Sequence, residues 1–215
     1  MTVFDARKSA PLGAPPVAGE GPNHDAYLLA TNATEGFRDA AEAIRLDPDL
    51  VGDTERAKAL GKEQGSRAAK LQDAKRRLEG EGEELEALLH DQRAFAGLVS
   101  PAEDAVTEMR AAAIRSQFAA MSPSDRLQAA KSGSDEVARA LYFAPDMGGT
   151  PLLDPKLRAA ITERLLSGNN PERHEAIAIR VEDHRRARFA VERALGFIGR
   201  GAGIRERLAA QNKGK

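Results

Sequence analysis

AKALGKEQGSRAAKLQDAKRRLEGEGEELEALLHDQRAFAGLV, residues 57–99, is the stretch of sequence that decides the fold. Taking Leu71 as position a of a heptad repeat places apolar side chains at roughly two thirds of the a and d positions. Ala, Leu, Lys, Arg and Glu dominate the stretch, and these residues favour helix over strand. The pattern predicts a long helix over 53–98.

Two glycines interrupt this pattern. Gly80 and Gly82 flank Glu81, which puts a charge at a seam position. Each glycine costs about 1 kcal/mol relative to alanine in a helix interior. The residues leave two alternatives open, one long kinked helix or a helical hairpin that turns at 80–82.

Helix starts are indicated along the rest of the chain by a small polar residue followed by proline. Proline at the first helical position sacrifices no hydrogen bond, and the preceding side chain can cap the helix. The five pairs are Asp47-Pro48, Ser100-Pro101, Ser122-Pro123, Asp154-Pro155 and Asn170-Pro171. We predict helices over 25–46, 53–98, 101–120, 123–131, 135–143, 155–167, 171–198 and 203–211, with a break at the glycines of 199–203.

The predicted fold class is therefore all-α, an elongated helical bundle with a long central helix and an extended Pro-rich N-terminal arm. The predicted domains are the arm (1–23), a helical domain (24–199) and a basic, Gly-containing C-terminal tail (200–215). The arm holds four prolines and three glycines between positions 9 and 22 and has no apolar signal-peptide core. We expect synthesis in the cytoplasm, and no stretch has the roughly 20 apolar residues of a membrane span.

The sequence offers little support for catalysis. The chain has no cysteine, which excludes disulfides, thiolate zinc sites and cysteine nucleophiles. None of the four histidines has the glutamate three positions before it that di-metal helical bundles use. We predict a non-enzymatic protein with no catalytic residues, no metal site and no cofactor.

Apolar residues at helical spacing predict protein partners instead, as a homo-oligomer or a larger assembly. One set lies on the long helix and the other on the last long helix. The predicted interface residues are Leu71, Leu78, Leu85, Leu88, Ile177, Val181, Arg188, Val191, Leu195 and Ile198.

Charge distribution supports a second hypothesis. The chain has 32 basic and 33 acidic residues, but residues 171–215 carry 11 basic against 6 acidic side chains. Such a basic end could make weak contacts with the phosphates of a nucleic acid. The alternative function is thus a nucleic-acid-binding or regulatory helical protein that uses the Arg-rich C-terminal helix.

The segment MSPSDRLQAAKSGSDEVARALYFAP, residues 121–145, has a Ser-Pro start, an Arg-Leu helix, a Gly-containing turn and a second helix that ends in Ala-Pro. It resembles a two-helix element of small helical structural proteins of tailed bacteriophages and prophages. The resemblance covers this segment alone and implies a virion component, capsid-associated or at the head–tail junction. It carries over no catalytic residues.

Overall fold

A computed structural model describes residues 12–50, 52–100, 104–144 and 153–211, except the side chains of 169 and 201–211. Within these ranges the chain forms seven α-helices and no strand, which confirms the all-α fold class. The helices are α1 (Pro22–Leu46), α2 (Asp53–Phe95), α3 (Ala105–Ala120), α4 (Pro123–Ser132), α5 (Asp135–Tyr142), α6 (Pro155–Asn169) and α7 (Pro171–Gln211).

Helix α2 is continuous through Gly80 and Gly82, so the hairpin alternative is wrong. Glycine weakens a helix but keeps its backbone N–H donor, unlike proline. The same reasoning explains α7, which continues through 199–203 to Gln211 where we predicted a break. The glycines of these two segments lower helix propensity without interrupting the hydrogen-bond series.

Three of the five predicted helix starts are confirmed. Ser122 and Asp154 cap α4 and α6 with their side chains, and the Oδ1 of Asn170 accepts a hydrogen bond from the backbone N–H of Arg173 in α7. The start predicted at Asp47-Pro48 is wrong, because Asp47 accepts a hydrogen bond from the backbone N–H of Asp49 in a turn. The start predicted at Ser100-Pro101 involves residues 101–103, which lie outside the described ranges, and α3 begins at Ala105 with Asp104 as its cap.

The chain divides into two compact units. Unit 1 contains residues 1–84 and 179–215, and unit 2 contains residues 85–178. The predicted arm, as far as the structure describes it, is non-helical from residue 12 to the start of α1. Its residues 1–11 lie outside the described ranges, as do residues 212–215 of the predicted tail.

Unit 1 packs α1 against the adjoining parts of α2 and α7 through small side chains. Phe37 and Phe197 meet edge to face with their ring centroids 6.2 Å apart. Alanines occupy much of the remaining contact, and small side chains let helix axes approach closely. The fully buried alanines of this core are Ala30, Ala187, Ala190 and Ala194.

Unit 2 has a second core, formed by α3 to α6 and the end of α2. Its largest fully buried side chains in the described part of the unit are Phe118, Leu141, Leu153, Ile161 and Leu165. Arg164 of α6 fastens the α4–α5 connection, since its guanidinium donates to the carbonyl oxygens of Ala130 and Ser134, each at 3.1 Å. No helix in the described ranges is long and apolar enough to cross a bilayer.

Candidate interaction sites

The charge at Glu81 is neutralised inside unit 1. Glu81 is 7% exposed and accepts two hydrogen bonds from Arg180 of α7, from Nε to Oε1 at 2.6 Å and from Nη2 to Oε2 at 2.9 Å. Nη2 also reaches Glu84 at 3.1 Å. The hydrogen bond to Glu81 raises the pKa of Arg180, so this guanidinium stays charged. The geometry makes the pair a structural link between α2 and α7.

Gly82 gives α7 a place to pack against α2. A Cβ at Gly82 would lie 3.3 Å from Nε2 of His184, tighter than ordinary van der Waals contact. Burial lowers the pKa of His184, the charge of Arg188 lowers it further, and Glu81 opposes both. Nδ1 of His184 is buried and has no hydrogen-bond partner among the described residues. The environment therefore favours the neutral imidazole.

Asp183 holds the described part of the arm on α7. Its side chain is 2% exposed and accepts hydrogen bonds from the backbone N–H groups of Val17 and Ala18, the latter at 2.9 Å. Arg186 donates to the carbonyl oxygen of Pro15 at 2.8 Å. We call these contacts the arm clamp. These hydrogen bonds all involve backbone groups of the arm. They therefore fix the position of the arm and depend little on which side chains the arm carries.

Most of the predicted interface residues are already buried within the chain. Leu71, Leu78, Val191 and Ile198 belong to the core of unit 1, where neighbouring alanines let the helices close around them. Only two of the predicted residues are exposed, Val181 and Arg188. Of the others, Leu85 and Ile177 are buried, while Leu88 and Leu195 are partly buried. The two stripes thus present little surface to a partner.

The positive charge of the Arg-rich segment of α7 is largely neutralised by acidic neighbours. Arg185 and Arg186 share Glu182, and their hydrogen bonds hold the pKa of Glu182 at about 2. Arg180 pairs with Glu81 and Glu84, as described above. Arg188 pairs with Glu192, and the guanidinium of Arg193 lies over the ring of Phe189. These contacts disfavour a phosphate-binding surface at 180–193.

His174 is the histidine with side-chain hydrogen bonds in the described part of the chain. His174 lies between two polar side chains in unit 2, with Nδ1 3.0 Å from Gln92 and Nε2 2.8 Å from Glu163. The tautomer protonated at Nε2 satisfies both contacts. No group of three or more metal-ligating side chains occurs in the described ranges.

An exposed face of α3 lies opposite the side that packs into unit 2. Ala111 and Phe118 are buried, whereas Met109 is 67% exposed and Val106 is 54% exposed. At 100° per residue, Val106 and Met109 share a face with four other exposed, uncharged residues. We call this set the α3 face: Val106, Met109, Ala113, Ser116, Gln117 and Ala120.

A cleft lies on the other side of α3, between this helix and α5. Its volume is about 210 Å³, and Ala111, Ala140 and Phe143 form its apolar lining. Arginine and glutamate side chains from both helices line the rest of it, together with the turn that follows α2. The cleft and the α3 face both belong to unit 2.

Sequence reasoning missed three of these features. The i, i+3, i+7 spacing of Val106, Met109 and Ala113 was a visible signal for an apolar face, but not for its exposure. The cleft and the arm clamp join residues far apart in the chain, so the spacing of residues contained no signal for them. Comparison of the chain with protein-family models, with curated proteins and with solved structures finds no match.

Proposed function

We propose that the protein is a non-enzymatic assembly protein that packs helices against copies of itself or partner subunits. The observation that carries the proposal is the α3 face, an exposed helical surface of six uncharged residues, four of them apolar, which is bordered by the exposed Arg110. Surface helices ordinarily direct charged and polar residues to water, and an outer face rich in apolar residues marks an interaction surface.

Packing on the α3 face is physically favourable. Burying Met109 or Val106 contributes roughly 1.5–3 kcal/mol for each side chain that becomes fully buried. Ala113, Ser116 and Ala120 are small, which lets a second helix approach to about 8–10 Å between axes. The α3 face therefore takes the role that we predicted for the stripes around Leu71 and Ile177.

The phage resemblance extends this proposal to a virion component. Residues 121–144 form two short helices, α4 and α5, with Ser122 and Ser134 as their caps. The resemblance to phage structural proteins implies a two-helix element in this segment. The two helices therefore support the proposal of a virion component, but they do not identify its partner.

Two measurements test the proposal. Sedimentation from about 1 μM to about 1 mM covers association free energies of roughly 8 to 4 kcal/mol and should reveal self-association. For other partners, a photo-crosslinking amino acid at position 109 should form adducts in cells that express the protein naturally. Position 46 is the control, because Leu46 is equally exposed but lies on α1 of unit 1.

The substitution Met109→Glu should abolish the association or the adduct seen with a probe at position 113, whereas Leu46→Glu should not. A monomer at every concentration, with no adduct from position 109, would contradict the proposal. Equal loss of association in the two glutamate variants would also contradict it.

A further inference from the structure

The cleft between α3 and α5 is a small, partly open pocket with an apolar side and charged side chains around it. Its volume of about 210 Å³ is bordered by the two helices and the turn after α2. Ala111 and Ala140 are buried at its apolar side, and the ring of Phe143 completes that side. Since a water molecule occupies about 30 Å³, the cleft can hold a molecule of a few heavy atoms in place of several waters.

One pair of charges in the cleft is already neutralised. Arg115 forms an ion pair with Glu108, two turns before it on the same helix. The Arg115 side chain is largely buried while that of Glu108 is half exposed. This pair adds polarity to the wall and leaves no net charge for a ligand.

A second pair of opposite charges lines the same cleft without meeting. Glu136 and Arg139 lie three positions apart on α5, a spacing at which helical ion pairs commonly form. Arg139 instead donates from Nε to the carbonyl oxygen of Ala96 at 3.1 Å. Its guanidinium packs against Gly97, where a Cβ would lie 3.1 Å from Nε. The contacts with the backbone at 96–97 thus hold the guanidinium of Arg139 away from the carboxylate of Glu136.

We propose that this cleft binds a zwitterionic α-amino acid with a short aliphatic side chain. The ligand's carboxylate would pair with Arg139 and its ammonium group with Glu136. Its hydrocarbon would cover Ala111, Ala140 and Phe143. A simple carboxylic acid would face the unpaired Glu136, and a simple amine would face the unpaired Arg139, so the zwitterion complements the lining best.

This proposal does not depend on the assembly function. Because the two charges are exposed, water screens their interaction with the ligand, and we expect weak binding in the millimolar range. An occupied cleft would join α3 to α5 through a bound molecule.

The test is an NMR titration of the full-length protein with L-leucine. Saturable shifts are expected at the amides of Gly97, Ala111 and Ala140. Two matched probes separate the charges, 4-methylvalerate without the ammonium group and 3-methylbutylamine without the carboxylate. Each should bind about three- to fivefold more weakly than leucine, which corresponds to the loss of one solvent-exposed charged contact.

Variants identify the residues. Glu136→Gln and Arg139→Gln should each weaken leucine binding about three- to fivefold, whereas Arg158→Gln on the exposed side of α6 should not. Glu136 makes no side-chain hydrogen bond or ion pair in the described structure, so its variant should fold even if Arg139→Gln does not. Absence of saturable shifts, equal binding of 4-methylvalerate, or unchanged affinity in Glu136→Gln would overturn the proposal.

Discussion

Gly82 of α2 and His184 of α7 lie so close that a methyl group on Gly82 would press against the imidazole, 3.3 Å from Nε2. Gly80, two positions earlier, has no atom within 4 Å of the site where its Cβ would be. The two glycines that interrupt the same helical pattern therefore have different roles. Gly80 is open to substitution, and Gly82 makes room for a contact.

The first prediction compares alanine at these two positions. Gly80→Ala should raise the free energy of unfolding by about 1 kcal/mol, because alanine is the better helix former and meets no neighbour. Gly82→Ala should give a smaller gain or a loss, because His184 must shift. Urea unfolding monitored by circular dichroism measures both. Equal gains would show that the His184 contact imposes no constraint.

The second prediction concerns the ion pair of Glu81 and Arg180. Arg180→Met should lower the free energy of unfolding by about 2 kcal/mol, since it leaves Glu81 buried without its cation. We expect less than the roughly 3–5 kcal/mol of fully buried pairs because the Arg180 side chain is 38% exposed.

Two further variants control for this result. Arg185→Met removes an arginine whose partner, Glu182, is more exposed than Glu81, and should cost less than about 1 kcal/mol. Glu81→Leu combined with Arg180→Met should recover much of the stability, because no unpaired charge remains. A double variant as unstable as Arg180→Met alone would contradict this explanation.

The third prediction is a pH dependence that comes from His184. Its pKa in the folded protein is lower than the ordinary value of 6.5, so the unfolded chain binds the proton more readily. The free energy of unfolding should therefore decrease as the pH falls below about 6.5. His184→Gln should reduce this slope in unfolding measurements between about pH 7.5 and 5.5. His90→Gln, at an exposed position of α2, is the matched control variant.

The fourth prediction addresses the arm clamp. Asp183→Ala should speed hydrogen exchange at the amides of Val17 and Ala18 by about 10- to 100-fold, the equivalent of roughly 1.5–3 kcal/mol per charge-assisted hydrogen bond. Glu192→Gln, at an exposed position of α7 outside the arm clamp, is the control and should leave both amides protected. Unchanged exchange in Asp183→Ala would mean that other contacts hold the arm.

Helix content was the most predictable property of this sequence. Proline position and cap chemistry are local, so Ser122, Asp154 and Asn170 mark real helix starts. Competition between neighbouring caps is harder to predict, as α3 illustrates: Asp104 caps it through the backbone N–H and hydroxyl of Thr107, with Ala105 as the first helical residue.

The interaction sites were much less predictable. An apolar stripe such as that of Leu71 and Leu78 has the same spacing whether it packs inside its own chain or against a partner. Which of the two occurs depends on the alanines of α1 and α7, which bring the helices together over it. The cleft depends on the carbonyl oxygen of Ala96, a backbone atom whose position no residue pattern specifies.

The division of the chain into units constrains how the protein is made. Unit 2 is one uninterrupted segment, whereas unit 1 needs residues from both ends of the sequence. During translation, the ribosome must therefore synthesise all of residues 85–178 before α1 can meet the part of α7 that buries Phe37. We expect unit 2 to acquire its structure first and Phe37 to stay exposed to chaperones until α7 has been synthesised.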